Sequence, residues 1–356
     1  MPFRSGLVLG LLLVSALGLS AADDWPQFMY DARHSGNAAD HDIAPGELGL
    51  AGVAALSDGI YTSPVVAGGN VYVLDGSGLV WCLDVDTLEV RWKFQSKGGP
   101  QNVNNVSSPA VAGDRLHFGT TSGYYYVLDR HTGKVVTEID CRESIFSTPA
   151  VGRDRVYFAT LGSRVFAVTY DGEQVWEWDF VKEVIGFQGN RWSGEDWVGF
   201  RGDRVTWKDH FVCSRDLCLV DKTVVIPAGG RTLFLEDTGG APKLKATGEI
   251  PNFSGSEFPA TFGQSADADG TVYVQWHRRD NAGRVDMLSL SGDELKTGEF
   301  VPGTDTNIRM DGLLSFSPVA IREGIVYRVR PENGRGLFRH AIASGESTLL
   351  SPAAAI

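Results

Sequence analysis

Cysteine is scarce: Cys82, Cys141, Cys213 and Cys218 are the whole complement of a 356-residue chain. That excludes a disulfide-dense scaffold, and without a Cys-x-x-Cys the chain has neither a redox dithiol nor a covalent c-type haem site. Cys213 and Cys218 are the one close pair. Five steps of extended strand exceed the Cα separation of a disulfide, so a bridge there would need a turn at Ser214-Arg215-Asp216. Positive charge is also in deficit, with 32 Lys and Arg against 44 Asp and Glu. A net charge of -12 argues against a nucleic-acid partner, whose binders carry a basic face. No Gly-x-Ser-x-Gly occurs, and none of the seven histidines lies at metal-ligand spacing from another. The acidic cluster Asp267-Ala-Asp269-Gly270 reads as a tight turn, since Asp-Gly is an ordinary turn dipeptide. What the chain does have is core material, 43% hydrophobic and 10% aromatic, with 43 glycines and 15 prolines suited to many short elements joined by turns.

The chain opens with Arg4, an uncharged run from Gly6 to Leu19, and Ser20-Ala21-Ala22 before Asp23-Asp24. This is the charged, apolar and small-residue order of a secretory signal cleaved after residue 22. No cysteine stands at the cleavage point, so no lipid anchor is expected. Nor does a second long apolar run follow, so the mature chain should hold no transmembrane segment. Residues 23–356 are expected to be one domain, periplasmic or secreted, and monomeric.

One phrase recurs along the chain: a Ser/Thr-Pro step, a small apolar strand, a Gly/Asp turn and an alternating aromatic strand. It appears at Ser63–Val73, Ser108–Phe118 and Thr148–Phe158, with prolines at 64, 109 and 149. Each copy continues into two more strands, such as Leu79–Asp84 and Val90–Phe94. Weaker copies begin near Leu217, Gln264 and Ser317. Four strands per unit is the anatomy of a propeller blade. The fold expected is therefore all-β, a β-propeller of four-stranded antiparallel blades, with six repeats visible and seven blades expected within a range of six to eight. Leu48 to Leu56 is the candidate closing strand. An insertion at about 182–210 breaks the period, and Gly202–Trp207 within it reads as an extra hairpin or part-blade.

Ser-Pro-x-Val with Gly/Asp-x-Val-Tyr, followed by a strand ending in Leu-Asp and a Thr-Gly-Lys-like turn, resembles the PQQ-like propeller family. The opening Asp24-Trp-Pro-Gln-Phe28 with Asp31 and His34-Ser-Gly36 looks like the start of its exported members. That family includes quinoprotein alcohol dehydrogenases and the propeller lipoprotein of outer-membrane protein assembly. Its tryptophan-docking motif, Ala-x-Asp-x-x-Thr-Gly-x-x-x-Trp, is matched in part by Asp84, Thr87 and Trp92, by Asp129, Thr132 and Gly133, and by Gly172 and Trp176. The resemblance implies that these residues pin neighbouring blades together.

The family's dehydrogenases hold PQQ between a tryptophan and a vicinal Cys-Cys disulfide above calcium. No Cys-Cys occurs here, so no catalytic, cofactor or metal residue is expected. The reading is a non-catalytic scaffold for an envelope or secreted protein partner. The alternatives are a quinoprotein oxidoreductase, with PQQ and calcium as cofactors, and a polysaccharide-binding propeller. The insertion supplies the candidate interaction surface, Arg191, Trp192, Trp197, Phe200 and Arg201, because Trp and Arg dominate binding hot spots. Gap-filling between blades is the competing role for the same aromatics. Asn104, Asn105, Arg142, Arg215 and Arg231, near strand ends, are candidates for one mouth of the central channel.

Overall fold

The computed structural model describes residues 24–38, 49–98, 102–249, 261–277, 283–300, 319–330 and 336–352. These residues form six four-stranded antiparallel sheets, each with its strands paired in chain order. Blade 1 consists of Val65–Ala67, Asn70–Leu74, Leu79–Asp84 and Val90–Gln95. Blades 2 to 6 span 110–140, 150–179, 218–249, 261–300 and 320–352. The six repeats visible in the sequence are thus six sheets, and the expected signal segment lies outside the described residues.

Strand alternation sends side chains to both faces of a sheet, and stacked blades bury both. Tyr72, Leu74, Val80 and Cys82 of blade 1 pack on Val111, Leu116 and Phe118 of blade 2. Tyr125 and Val127 of blade 2 meet Phe158 and Phe166 of blade 3, with the Tyr125 and Phe158 rings stacked at 3.7 Å. Cys218, Val225 and Phe234 join blade 4 to Val272 and Val274 of blade 5, and Tyr273 meets Ile321 and Val326 of blade 6. All four cysteines are buried free thiols, so Cys213 and Cys218 are not bridged.

The repeated Ser/Thr-Pro step has a structural cause. The Ser63 amide donates to Ser108 Oγ (2.9 Å), the Ser108 amide to Thr148 Oγ1 (3.1 Å), and the Thr148 amide to Asp216 Oδ1 (2.6 Å). The starts of blades 1, 2 and 3 are therefore each tied to the next by a hydroxyl or carboxylate acceptor, in a position where the backbone has no sheet partner.

The outer turns dock blade on blade. Asp84 Oδ1 accepts from the Thr87 amide and hydroxyl, and hydrogen bonds from Thr87 first and Arg91 second hold its carboxyl down at about 2. Trp92 donates its indole N–H to the Arg130 carbonyl (3.1 Å) and lies against Gly133, whose φ of +69° and closeness to the ring leave no room for a Cβ. Asp129 Oδ1 likewise accepts from Thr132. One junction on, Thr137 takes the tryptophan's place over Gly172 and donates to the Asp171 carbonyl (2.7 Å). The next junction is ionic: Asp237 accepts from Arg155 Nη1 and Tyr157 Oη, both at 2.7 Å, beside the buried Trp176. Burial alone would raise the Asp237 carboxyl, but the bonds from Tyr157, Gly239 and Arg155 outweigh it and hold it low.

Two expectations are corrected. Residues 49–60 form no strand; this Gly- and Ala-rich stretch lays Ala54 and Leu56 against Val73, Trp81 and Leu83 on the face of blade 1 turned away from blade 2. Leu48 itself lies outside the described residues. The insertion contains no hairpin: it is a π-helical turn, Val181–Ile185, and the helices Gly194–Arg201 and Trp207–His210. Ser193 caps the first helix by accepting from the Asp196 amide, and Gly202 ends it at φ +87°.

Candidate functional site

Strand direction alternates, so the turns after the first and third strands of every blade share one face. The turns after the second strands, the links between blades and the insertion share the other.

At the first face the segment 24–36 crosses the inner strand of every blade. The Val66 amide donates to the Trp25 carbonyl (2.9 Å) and the Trp25 amide returns the bond to Val66 (2.8 Å). The Val111 amide donates to the Pro26 carbonyl (2.7 Å), and the Val151 amide to Gln27 Oε1 (2.9 Å). After a turn at Met29–Asp31, the carbonyls of Ala32, Arg33 and Ser35 accept from Leu219 (2.7 Å), Ala266 (2.8 Å) and Ile321 (2.7 Å). The six donors hold one equivalent position, since they pair in turn with Val71, Leu116, Val156, Val224, Val272 and Val326 of the second strands. Six inner strands therefore converge on one short stretch of chain.

The segment carries its own scaffold. Asp31 accepts from the amides of Arg33 (3.1 Å) and Ser35 (3.0 Å), from the Ser35 hydroxyl (2.9 Å) and from the Arg33 guanidinium. Gly36 sits at φ +63° with Ala320 and Met29 in the space of a Cβ. His34 is wholly buried and edge-on to Phe28 at 5.2 Å. Burial lowers its pKa against the opposing pull of Asp216 and Asp31. The sequence reading noted this phrase and gave it no task. The signal was there in Asp31-x-Arg33-x-Ser35, a carboxylate spaced to cap its own loop.

At the linker face the insertion stands between blades 3 and 4. Trp197 is fully buried, stacked on Phe187 at 3.9 Å, with its indole donating to the Arg191 carbonyl (2.9 Å). Arg191 is partly buried, its side chain 11% exposed, bonded to the Gly162 carbonyl (2.6 Å) and ion-paired with Asp179. Trp192 is half-buried and donates to Glu143 Oε1 (2.9 Å). Trp197 is thus corrected from surface to support, while Arg191 and Trp192 are partly exposed and each makes bonds inside the protein. Phe200 is 49% exposed and Arg201 lies in solvent beside Asp203 (2.9 Å). Trp207, missed in the sequence, is 41% exposed and edge-on to Trp192 at 5.3 Å. Val184, Val198, Ile60, Tyr61 and Val103 add exposed apolar surface on this face.

The channel-mouth candidates share the linker face but do not gather. Asn104 and Arg142 are exposed, each at a positive φ. Asn105 is a buried brace, donating to the Gly76 carbonyl (3.1 Å) and accepting from the Thr121 amide (2.9 Å). Arg215 is part-buried, and burial lowers its guanidinium against Asp216; Arg231 reaches the His210 carbonyl at 3.4 Å.

The four thiols are separate, buried and pushed up in pKa, Cys213 to about 12, by burial first. Among the described residues no three acidic, histidine or cysteine side chains converge. Asp267 is a turn and docking residue, accepting from the amides of Glu323 (3.2 Å) and Gly324 (2.7 Å). No helix of the described residues is long and apolar enough to cross a membrane.

Residues 53–142 and 110–198 match the family model described as outer membrane protein assembly factor BamB. The protein of that name from Legionella pneumophila is 25% identical over 121 residues, 32% of this chain and 30% of the relative. Its counterpart from Moranella endobia is 23% identical over 141 residues, 40% of this chain and 34% of the relative. The chain thus matches about a third of the length of these curated relatives. Among solved structures, the quinohemoprotein alcohol dehydrogenase of Comamonas testosteroni aligns with 90% of this chain and 59% of its own at a TM-score of 0.55 and 15% identity, which shows the fold alone. Residues 53–198 therefore match that family model, and the chain as a whole has the fold of a β-propeller.

Proposed function

We propose that the protein is a non-catalytic, protein-binding propeller of the cell envelope, exported by its N-terminal signal and acting in outer-membrane protein assembly. The observation that carries this reading is the insertion. A stacked and ion-paired base of Trp197, Phe187 and Arg191 holds Phe200, Val198 and Trp207 out in solvent on a rigid knob. Aromatic side chains held firmly at a surface lose little freedom on binding, which is what an interface anchor requires. The curated relatives, named as outer-membrane assembly factors, supply the cellular setting.

The test is site-specific photocrosslinking in the source cells, with the photoreactive residue at Phe200 or Trp207 and, as control, at the exposed Val136 of blade 2. Adducts with outer-membrane assembly components at the two insertion positions and not at Val136 are expected. Equal or absent adducts at all three positions would refute the interface. Saturable quenching of tryptophan fluorescence by PQQ with calcium at micromolar concentration would restore the oxidoreductase reading.

A further inference from the structure

The inner strand of a blade has one neighbour in its sheet and turns its other edge to the channel, where its amides have no sheet partner. At one level of this channel all six such amides are answered, and every acceptor comes from residues 25–35. We propose that this rim is a peptide-binding site, that Asp24–Gly36 is its resident ligand, and that the segment is a separable clasp holding the six blades together.

Three observations carry the assignment. The contacts repeat a single rule, one equivalent amide per blade, which a loop packed only to fill space would not do. Their partners run from Val66 to Ile321, so the clasp can seat fully only after the sixth blade exists. The segment is also shaped before it binds: Asp31 holds the 33–35 limb, and the Gly36 amide closes back on the Met29 carbonyl (2.9 Å). A preorganised ligand gives up little conformational entropy on docking. Its composition fits the task too. The rim offers donors, so the segment needs acceptors, and Pro26, which has no N–H to leave unpaired, accepts from Val111. Gln27 does with its side chain what the backbone does elsewhere, accepting from the Val151 amide and donating to its carbonyl at 3.5 Å.

The experiment keeps the full chain and cuts it after folding. A specific protease site inserted after Leu50, which is 86% exposed, releases the clasp from the blades covalently while leaving both in place. The fragment should stay with the blades through gel filtration, and a labelled synthetic peptide of residues 24–37 should replace it slowly. A scrambled peptide should not. With Gln27→Ala in the fragment the exchange should run about tenfold faster. Blades stripped of the fragment should melt earlier and recover their melting temperature when the 24–37 peptide is added back. Loss of the fragment on the first column with no change in melting temperature would overturn the proposal. So would displacement by the scrambled sequence, or stripped blades that the peptide fails to restore.

Discussion

Two of the described segments outside the repeat, the N-terminal clasp and the insertion after blade 3, are rich in rings. The clasp brings Trp25, Phe28, Tyr30 and His34; the insertion brings Phe187, Trp192, Trp197, Phe200 and Trp207. They are built on different principles. The clasp is held by its backbone, one carbonyl or amide oxygen to each blade, and its rings are secondary. The insertion is held by side chains, with Trp197 sandwiched between Phe187 and Phe211 and Arg191 reaching Asp179 and Gly162. Ring density therefore marks a segment that packs, and it does not mark the face that meets a partner. Which side chain is left over for a partner depends on which donors and faces are already spent.

The largest expected effect removes the base of the insertion. Trp197→Ala leaves a cavity under Phe187 and Phe211 and should cost about 3–5 kcal/mol in chemical denaturation. Arg191→Met should cost less, at about 1–3 kcal/mol, because it removes the guanidinium partner of the largely buried Asp179 while the Val181 and Lys182 amides still donate to that carboxylate. If the insertion were a loose surface loop, both losses would be below about 0.5 kcal/mol.

Asp31→Ala attacks the clasp instead. It deletes the acceptor for the Arg33 and Ser35 amides without touching any blade, and should cost about 2–3 kcal/mol. Hydrogen exchange sharpens the contrast: the Leu219, Ala266 and Ile321 amides should lose protection in this variant and keep it in Trp197→Ala, provided each is compared under conditions where the blades stay folded.

Acid separates the segments in a second way. His34 in the clasp and His117 in blade 2 are buried and neutral, and burial is the main cause in both, taking His117 to about 3. The unfolded chain takes up protons near pH 6.5 that the folded chain refuses, so this stability is complete above pH 6.5 and falls as the pH drops below it. From pH 6.5 to pH 5 the loss should be about 2 kcal/mol for His117, with a loss of the same sign for His34. His34→Gln should flatten the part of the slope that accompanies loss of protection at the six rim amides, and His117→Gln the part that does not.

The fold was legible because a propeller repeats its physics. Each blade must alternate apolar faces and return through Gly/Asp turns, so Val71-Tyr72, Leu116-His117 and Val156-Tyr157 announce the same strand three times. The junctions were legible only where the local rule survived: Trp92 over Gly133 could be read, but Asp237 between Arg155 and Tyr157 joins residues some eighty positions apart and leaves no spacing to recognise. The insertion's residue types did not show which side chains face solvent, since a helix of eight residues turns Trp197 inward and Phe200 outward and nothing in composition sets that phase. The clasp was hidden for the opposite reason. Its partners are backbone amides, which every residue has, so no side-chain pattern in the blades records where it lands.

The smallest effect on stability is the one that bears most on function. Phe200→Ala removes a ring that is half in solvent, and its edge contact with Phe187 at 5.3 Å is one of several that Phe187 makes. The change should cost less than about 0.5 kcal/mol and leave hydrogen exchange throughout the insertion unaltered. Yet an aromatic anchor at the centre of an interface is worth about 2 kcal/mol or more in binding. Crosslinking from Trp207 should therefore fall by an order of magnitude or more in the Phe200→Ala protein while its melting temperature stays put. A variant that binds as well as the parent would move the interface off the insertion, and would leave the exposed Ile60, Tyr61 and Val103 on the same face as the next positions to change.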